Sequence, residues 1–305
     1  LKCRVIIRKG DASPLSIPEK DNLKSEEIEK DFRLACRTYA LTDLEIEIPE
    51  KSLAYDARLQ LYGLSESWAV DPVIESHNIQ LDAASLQDPR ADMDRVIGEL
   101  IGITKAQDLY PDIDSVRQIS SMLRKNNRRI TTYVRSGEII GFAPHGSPAL
   151  GVAIDLGTTK IAAWLINLMT GEELGGIGEL NPQIQYGDDV MTRLRYVVNN
   201  RDISTGSCGK LARAVREKIA DMVSRLVENA EKTLEQVTDL CIVGNTAMIH
   251  LLLDLPVGAL AVSPYVASVN HALDVKAREI DINVCPGAYC HILPGIGGFV
   301  GSDHV

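Results

Sequence analysis

The chain has 305 residues, of which 45% are hydrophobic and 24% charged, a composition that fits a folded protein of two or three domains. Its net charge of −10 argues against nucleic acid as a main partner, since phosphate-backbone binding needs clustered Lys and Arg. No apolar stretch is long enough to cross a bilayer: even Leu240 to Val269 is broken by Asn245, His250, Asp254, Pro256 and Pro264. No signal peptide is evident, and six scattered cysteines without a disulfide framework suit a reducing compartment, so a cytoplasmic protein is expected. The chain starts at Leu1-Lys-Cys3 and stops at Gly301-Ser-Asp-His-Val305, which resembles the first turn of a helix. Truncation at both ends is therefore expected.

Residues 1–50 read as a short β-rich unit. Cys3 to Arg8 is a strand, Lys24 to Asp31 a polar helical turn, and Leu44-Glu-Ile-Glu-Ile48 alternates as a half-exposed strand does. Residues 51–145 form a small α+β connector. Asp71-Pro72 and Asp88-Pro89 punctuate it, and a helix is expected from Asp88 to Ile101, with Pro89 at its entrance and acids in its first turn. A second helix covers Val116 to Leu123. The basic run Arg124 to Arg129 reads as its solvated end, and Ile130 to Val134 with Glu138 to Phe142 form a hairpin closed by Ser136-Gly137.

From 146 to 305 the order becomes strand, strand, strand, helix, helix, strand, helix, strand. The third strand is Glu172 to Leu180, followed by a short helix at Asp189 to Val198 and a long amphipathic helix at Lys210 to Leu234. A fourth strand runs from Asp239 to Val243, and a fifth includes His291 to Leu293. A meander followed by alternating helices and strands fits half of an actin-like, ribonuclease H-like domain of α/β class.

The first two of those strands, Gly151 to Leu156 and Ile161 to Asn167, enclose the most informative turn in the chain. Asp155 ends the first strand. Gly157 permits close approach of a phosphate, and the backbone amides and hydroxyls of Thr158 and Thr159 can donate to it, with Lys160 beside them. Asp155 is left to hold a hydrated Mg²⁺ or orient a water, which makes it the candidate catalytic residue. An ordinary hairpin turn containing the same residue types is the alternative; the flanking apolar strands weigh against it. This turn resembles the first phosphate loop of the actin-like ATPase superfamily (the ASKHA group).

Further along, Gly244-Asn245 turns from a strand into a helix, a geometry that suits either a nucleotide site or a simple N-cap. His250 reads as a packed core histidine. Asn181, Gln183 and Arg193 surround a Gly187-Asp188 turn and are expected to line a cleft. Cys285 and Cys290 lack a second ligand pair and read as structural, as do Cys208 and Cys241. The glycine-rich segment Pro294 to Gly301 lacks the pattern of a P-loop.

Cys3 in Leu1-Lys-Cys-Arg-Val and Cys36 in Leu34-Ala-Cys-Arg-Thr resemble the last two ligands of a plant-type [2Fe–2S] ferredoxin, whose C-x4-C-x2-C run precedes a distant fourth cysteine. Two ordinary buried cysteines remain an alternative on spacing alone. Taken with Tyr55 to Arg58, Ser85 to Arg90, Asp155 to Lys160, Asn181 to Gln183, Tyr186 to Val190, Val243 to Thr246 and Gly297 to Gly301, the chain resembles the reductive activators of corrinoid-dependent proteins, the RACo/RamA-like group.

That resemblance implies three parts: the C-terminal part of a β-grasp ferredoxin domain (1–50), a linker domain (51–145) and the first half of an actin-like ATPase domain (146–305). It implies Cys3 and Cys36 as metal ligands of a [2Fe–2S] cluster whose other two ligands lie upstream. ATP and Mg²⁺ would sit at Asp155, Gly157, Thr158, Thr159, Lys160, Gly244 and Asn245. The implied activity is ATP-dependent return of a corrinoid from Co(II) to Co(I). The implied partners are a corrinoid protein or corrinoid-dependent methyltransferase and an electron donor; a homodimer is left open. The alternative from another class is a ferredoxin-type electron carrier fused to a nucleotide-binding scaffold without ATP turnover.

Overall fold

The computed structural model describes residues 3–49, 70–104, 108–200, 208–297 and 301–302. Tyr55 to Arg58 and most of Gly297 to Gly301 lie outside the described residues. The chain divides into two compact units, 1–60 and 61–305.

In the first unit, β1 (Arg4–Lys9) pairs antiparallel with both β2 (Phe32–Leu34) and β3 (Glu45–Glu47), making a three-stranded sheet with β1 at its centre. Two short helices, α1 (Ile17–Asn22) and α2 (Ser25–Ile28), lie between β1 and β2 in sequence. Its set of buried apolar residues is small: Val5, Ile6, Leu23 and Leu34. A buried carboxylate supplements it. Glu19 accepts a forked pair of hydrogen bonds from Arg33 (2.8 and 3.1 Å), together with bonds from Ser16, the Leu34 amide and Thr38 Oγ1. Its partners thus lie on both sides of Cys36.

The second unit begins with β4 (Ile74–Gln80), α3 (Asp92–Thr104), β5 (Tyr110–Pro111), α4 (Ile113–Lys125), β6 (Arg129–Arg135) and β7 (Glu138–Pro144). The strands form a sheet of order β4-β6-β7-β5. Val96 and Leu100 from α3, and Ile119 and Leu123 from α4, close its core against Ile79, Ile130, Ile139 and Phe142. Two differences from the sequence reading have physical causes. Strand β4 has its buried isoleucines at 74 and 79, an odd spacing that hides the alternation; pairing along β6 makes it a strand. Helix α3 starts at Asp92 rather than near Pro89, because Ser85 and Asp88 close a turn on each other and Arg90 holds the Asp88 carboxylate at 2.7 and 2.9 Å.

The remainder is built on a six-stranded sheet of order β10-β9-β8-β11-β13-β12. Strands β8 (Leu150–Leu156), β9 (Lys160–Asn167) and β10 (Glu173–Leu180) form an antiparallel meander. Strands β11 (Val237–Gly244) and β13 (Tyr289–Ile292) continue it parallel to β8, and β12 (Leu273–Lys276) adds an antiparallel edge that the sequence reading lacked. Helices α5 (Val190–Asn199), α6 (Lys210–Asn229) and α7 (Thr246–Leu253) pack with it. The core is shared by Leu211, Val215, Ile219, Met222 and the strand residues Val152, Ile154, Leu240 and Ile242. Helix α6 is shorter than its apolar pattern implied. It stops at Ala230, where Glu231 takes a left-handed backbone (φ 55°) and Lys232 N–H turns back to Val227 O. The meander followed by parallel strands is the ribonuclease H-like half of an actin-like domain. It brings the carboxyl ends of β8 and β11 side by side, where ligands of such sheets bind.

Between the linker sheet and the edge of this large sheet runs a seam of charged groups. Arg278 forks onto Asp112 at 2.9 and 2.9 Å, Lys276 Nζ lies 2.9 Å from both oxygens of Glu138, and Tyr289 Oη donates to Glu138 at 2.7 Å. Arg135 pairs with Asp274 at 3.2 Å, and both Arg135 and Lys276 stand over the Tyr289 ring.

Candidate functional site

The turn from β8 to β9 is fixed from below by its own carbonyls. Gly157 O accepts from Asn181 Nδ2 (2.9 Å), Thr158 O from Arg193 Nη2 (2.7 Å), and Thr159 O from the Asn181 backbone N–H (2.9 Å). Asn181 Nδ2 and Arg193 Nη1 both meet Met248 Sδ, at 3.9 and 3.3 Å, so the two anchors lie together on one buried side. In a trans peptide the N–H points opposite to the C=O. The amides of Thr158 and Thr159 are therefore turned away from the anchors, as an anion-binding concavity requires. Gly157 is needed because a Cβ there would stand 2.5 Å from Lys160 O.

Asn245 ties the second half of the site to the first. Its Oδ1 caps α7 by accepting from Met248 N–H (3.0 Å), and its Nδ2 donates to Thr158 Oγ1 (3.0 Å). The cap and the ligand-site reading of the same residue thus coexist. The Thr158 hydroxyl, already accepting, is left to donate its hydrogen outward. Gly301 passes directly over this turn: a Cβ on it would stand 2.3 Å from Asn245 Cα, so only glycine permits the approach, and Ser302 Oγ accepts from Gly244 N–H at 3.3 Å. A cleft lined by Gly244, Thr246, His250, His271 and Gly295 opens at the same turn. His250 is fully buried. Its Nδ1 lies 2.7 Å from Thr246 O and its Nε2 accepts from Ser268 N–H at 2.9 Å, so the ring is neutral, and burial lowers its pKa.

In the first unit, pairing of Arg4 with Leu34 sets Cys3 beside the turn that carries Cys36, and the two sulfurs are 3.3 Å apart. Two thiolates on one tetrahedral metal, at bond lengths near 2.3 Å, are about 3.7 Å apart. The observed pair is about 0.4 Å closer than that, near the spacing of two ligands of a single iron. Among the described residues no group of three or more His, Cys, Asp or Glu could hold a metal, so Cys3 and Cys36 stand there as a pair without a third such group beside them. Cys285 and Cys290 are buried, with thiols pushed well above their usual range by desolvation, and form no ligand set.

Comparison with known proteins places this architecture. A family described as the RACo linker region matches residues 63–147, and one described as the RACo middle region matches residues 150–305. The chain belongs to the RACo family. It is similar to the corrinoid activation enzyme RamQ of Eubacterium limosum, with 25% identity over 301 residues, covering 97% of this chain and 48% of that protein. Its fold matches a solved reductive activator for corrinoid, iron–sulfur protein, with a TM-score of 0.63, 28% identity, and coverage of 99% of this chain and 50% of the other. The chain thus spans about half the length of the relatives it matches.

Within this RACo architecture, Asn181, Gln183 and Arg193 do not line a cleft together, contrary to what their sequence pattern predicts. The structure puts Asn181 and Arg193 behind the loop instead, 1% and 0% exposed, and sends Gln183 elsewhere: its Nε2 donates to Leu211 O at the start of α6. Glu19 and the seam were not singled out at all. The one available signal for Glu19 was its place three residues after Ser16, the spacing of an N-terminal helix cap. No helix among the described residues is long and apolar enough to cross a membrane.

Proposed function

We propose that this chain is the part of a RACo-type activator that binds ATP at the Asp155 loop and contributes Cys3 and Cys36 to a [2Fe–2S] cluster. The complete protein then uses ATP and an external electron donor to return a corrinoid protein, or a corrinoid-dependent methyltransferase, from Co(II) to Co(I). The observation that carries this reading is the presence in one RACo chain of a sulfur pair near one-iron spacing and a turn whose amides face outward. The names of the relatives, a corrinoid activation enzyme and a reductive activator, supply the substrate class.

The chain's own residues divide the work. Thr158 and Thr159 bind phosphate oxygens through amides and hydroxyls, and Lys160 adds positive charge. Gly244 and Asn245 wall the site from the β11 side. Asp155 holds Mg²⁺ through water or orients the attacking water, Mg²⁺ supplying charge neutralisation when bound. An iron–sulfur cluster supplies single electrons, and at plant-type potentials, on the order of −400 mV, it is not reducing enough alone for Co(II). Closure of an actin-like domain on ATP can bias a two-state element and so favour the uphill step.

The test is the Co(II)-to-Co(I) absorbance change of a corrinoid partner with the complete protein and a reductant. ATP-dependent reduction is expected, and Asp155→Ala is expected to abolish both it and Mg²⁺-dependent ATP turnover while leaving the fold intact. Equal rate and extent without ATP would favour the plain electron carrier.

A further inference from the structure

Arg193 is the least explained charge among the described residues. Its side chain is fully buried, and its hydrogen-bond partners are Thr158 O (2.7 Å), Gly187 O (2.9 Å) and the thioether of Met248 (3.3 Å). Among the described residues no carboxylate stands within ion-pair distance of it; Asp188 and Asp189 act only from farther off, and the Asp189 oxygens are engaged by Thr192. Every other arginine that is less than a tenth exposed among the described residues has a carboxylate within 4 Å: Arg95 faces Asp88 at 3.8 Å. Burial lowers the Arg193 pKa to about 10, so it stays charged at neutral pH.

A buried, unanswered cation is costly, and an arginine cannot escape the cost by losing its proton. The fold accepts it directly behind the turn whose amides face the other way. Asp188 and Asp189 offset that cost only from beyond ion-pair distance, and further negative charge is then one that arrives from outside. We propose that Arg193 is the positioning residue of the phosphate loop, holding the Thr158 carbonyl inward so that the Thr159 amide faces the ligand, and that the polyphosphate of a nucleotide is its counter-ion, acting through the loop. This rests on the nucleotide reading of that loop. It adds a selectivity: the charge behind the loop rewards each added phosphate, whereas the nucleoside part of the ligand does not sense it.

The experiment uses the complete protein and three probes: Mg·ATP, Mg·tripolyphosphate and adenosine. Arg193→Gln is expected to weaken ATP and tripolyphosphate at least about tenfold, to leave adenosine unchanged, and to flatten the salt dependence of tripolyphosphate binding; Arg193→Lys restores part of the loss. The second variant keeps the arginine. Met248→Glu sets a carboxylate beside Nη1, and it is expected to raise the thermal midpoint without ligand while weakening tripolyphosphate at least about tenfold. An arginine with only a structural role would gain the same stability from the Met248→Glu carboxylate and leave tripolyphosphate binding unmoved; that result overturns the proposal. Equal weakening of adenosine and tripolyphosphate by Arg193→Gln also overturns it. If the unaltered protein binds tripolyphosphate and Thr158→Val leaves that binding intact, the nucleotide reading of the loop has failed instead.

Discussion

Glu19 and Arg193 are both fully buried charges, and each holds a turn that carries candidate ligand groups, yet the fold answers them in opposite ways. Glu19 has an arginine forked onto it and donors from three further residues around its oxygens. Arg193 has carbonyls and a sulfur. A buried charge with its counter-ion in place completes a local structure and needs nothing more. One without it is stable only because the surrounding fold tolerates it, and it leaves the site electrostatically incomplete. The contrast separates a charge that shapes a turn from a charge that also waits for a ligand.

The largest expected effect comes from removing the answered charge. Glu19→Gln leaves the largely buried Arg33 without its counter-charge and loosens the segment Arg33 to Thr38, with Cys36 inside it, at a cost of about 3 kcal/mol. Burial by itself would raise the Glu19 pKa; the Arg33 guanidinium and the other donors outweigh it and hold the carboxyl well below its usual range. A depressed folded-state value means the stabilisation is present above the unfolded pKa, about 4.3, and is lost as pH falls through the folded value. Urea midpoints of the unaltered chain should therefore decline below about pH 5, while those of Glu19→Gln start lower and change less. In the complete protein the variant should also lose visible cluster absorbance. An unchanged midpoint at pH 7 would erase the contrast with Arg193.

Much of the fold was legible because its signals are local. Asp155 to Lys160 read as a turn from its own residues, Asn245 as a helix start, and the hairpin from Ser136-Gly137. What was not legible depends on partners far away in sequence. Strand β12 is four residues with a mixed burial pattern and exists by pairing with β13. Asp112 and Arg278 are 166 residues apart, and neither looks unusual alone. The polar cluster at Asn181 and Arg193 was visible, but not its direction, because the carbonyls that receive it belong to another strand's turn.

The seam offers an intermediate case. Asp112 is 5% exposed, and its carboxyl is desolvated yet held low by Arg278 and by the Asp114 amide. Arg278→Met removes both forked bonds but leaves Lys276 Nζ at 3.4 Å and the Asp114 N–H in place. The expected loss is about 2 kcal/mol in thermal or urea stability, with tripolyphosphate affinity unchanged. A fall in that affinity comparable to the effect of Arg193→Gln would mean that answered and unanswered charges are not functionally distinct here.

Asp239, on β11, gives the smallest effect and the sharpest comparison with Arg193. Its Oδ1 has no hydrogen-bond partner among the described residues. Burial pushes its pKa up to about 6; Arg135 and His291 pull it down, and Asp274 pushes it up. A carboxylate can meet such a site by taking up a proton, which an arginine cannot do by shedding one. Because the folded value lies above the unfolded one, near 3.9, the folded state binds the extra proton between about pH 4 and pH 6, and stability falls as pH rises through that window. Asp239→Asn removes the titration. The variant should match the unaltered chain near pH 4 and exceed it by about 1 kcal/mol above pH 6.5, the gain being limited by the solvent that still reaches the group. The measurement is the difference in thermal midpoint between the two proteins at each pH, which cancels the acid sensitivity contributed by Glu19. A difference that stays flat from pH 4 to pH 7 would mean that Arg135 and His291 already answer Asp239, leaving Arg193 as the buried charge whose partner must come from outside.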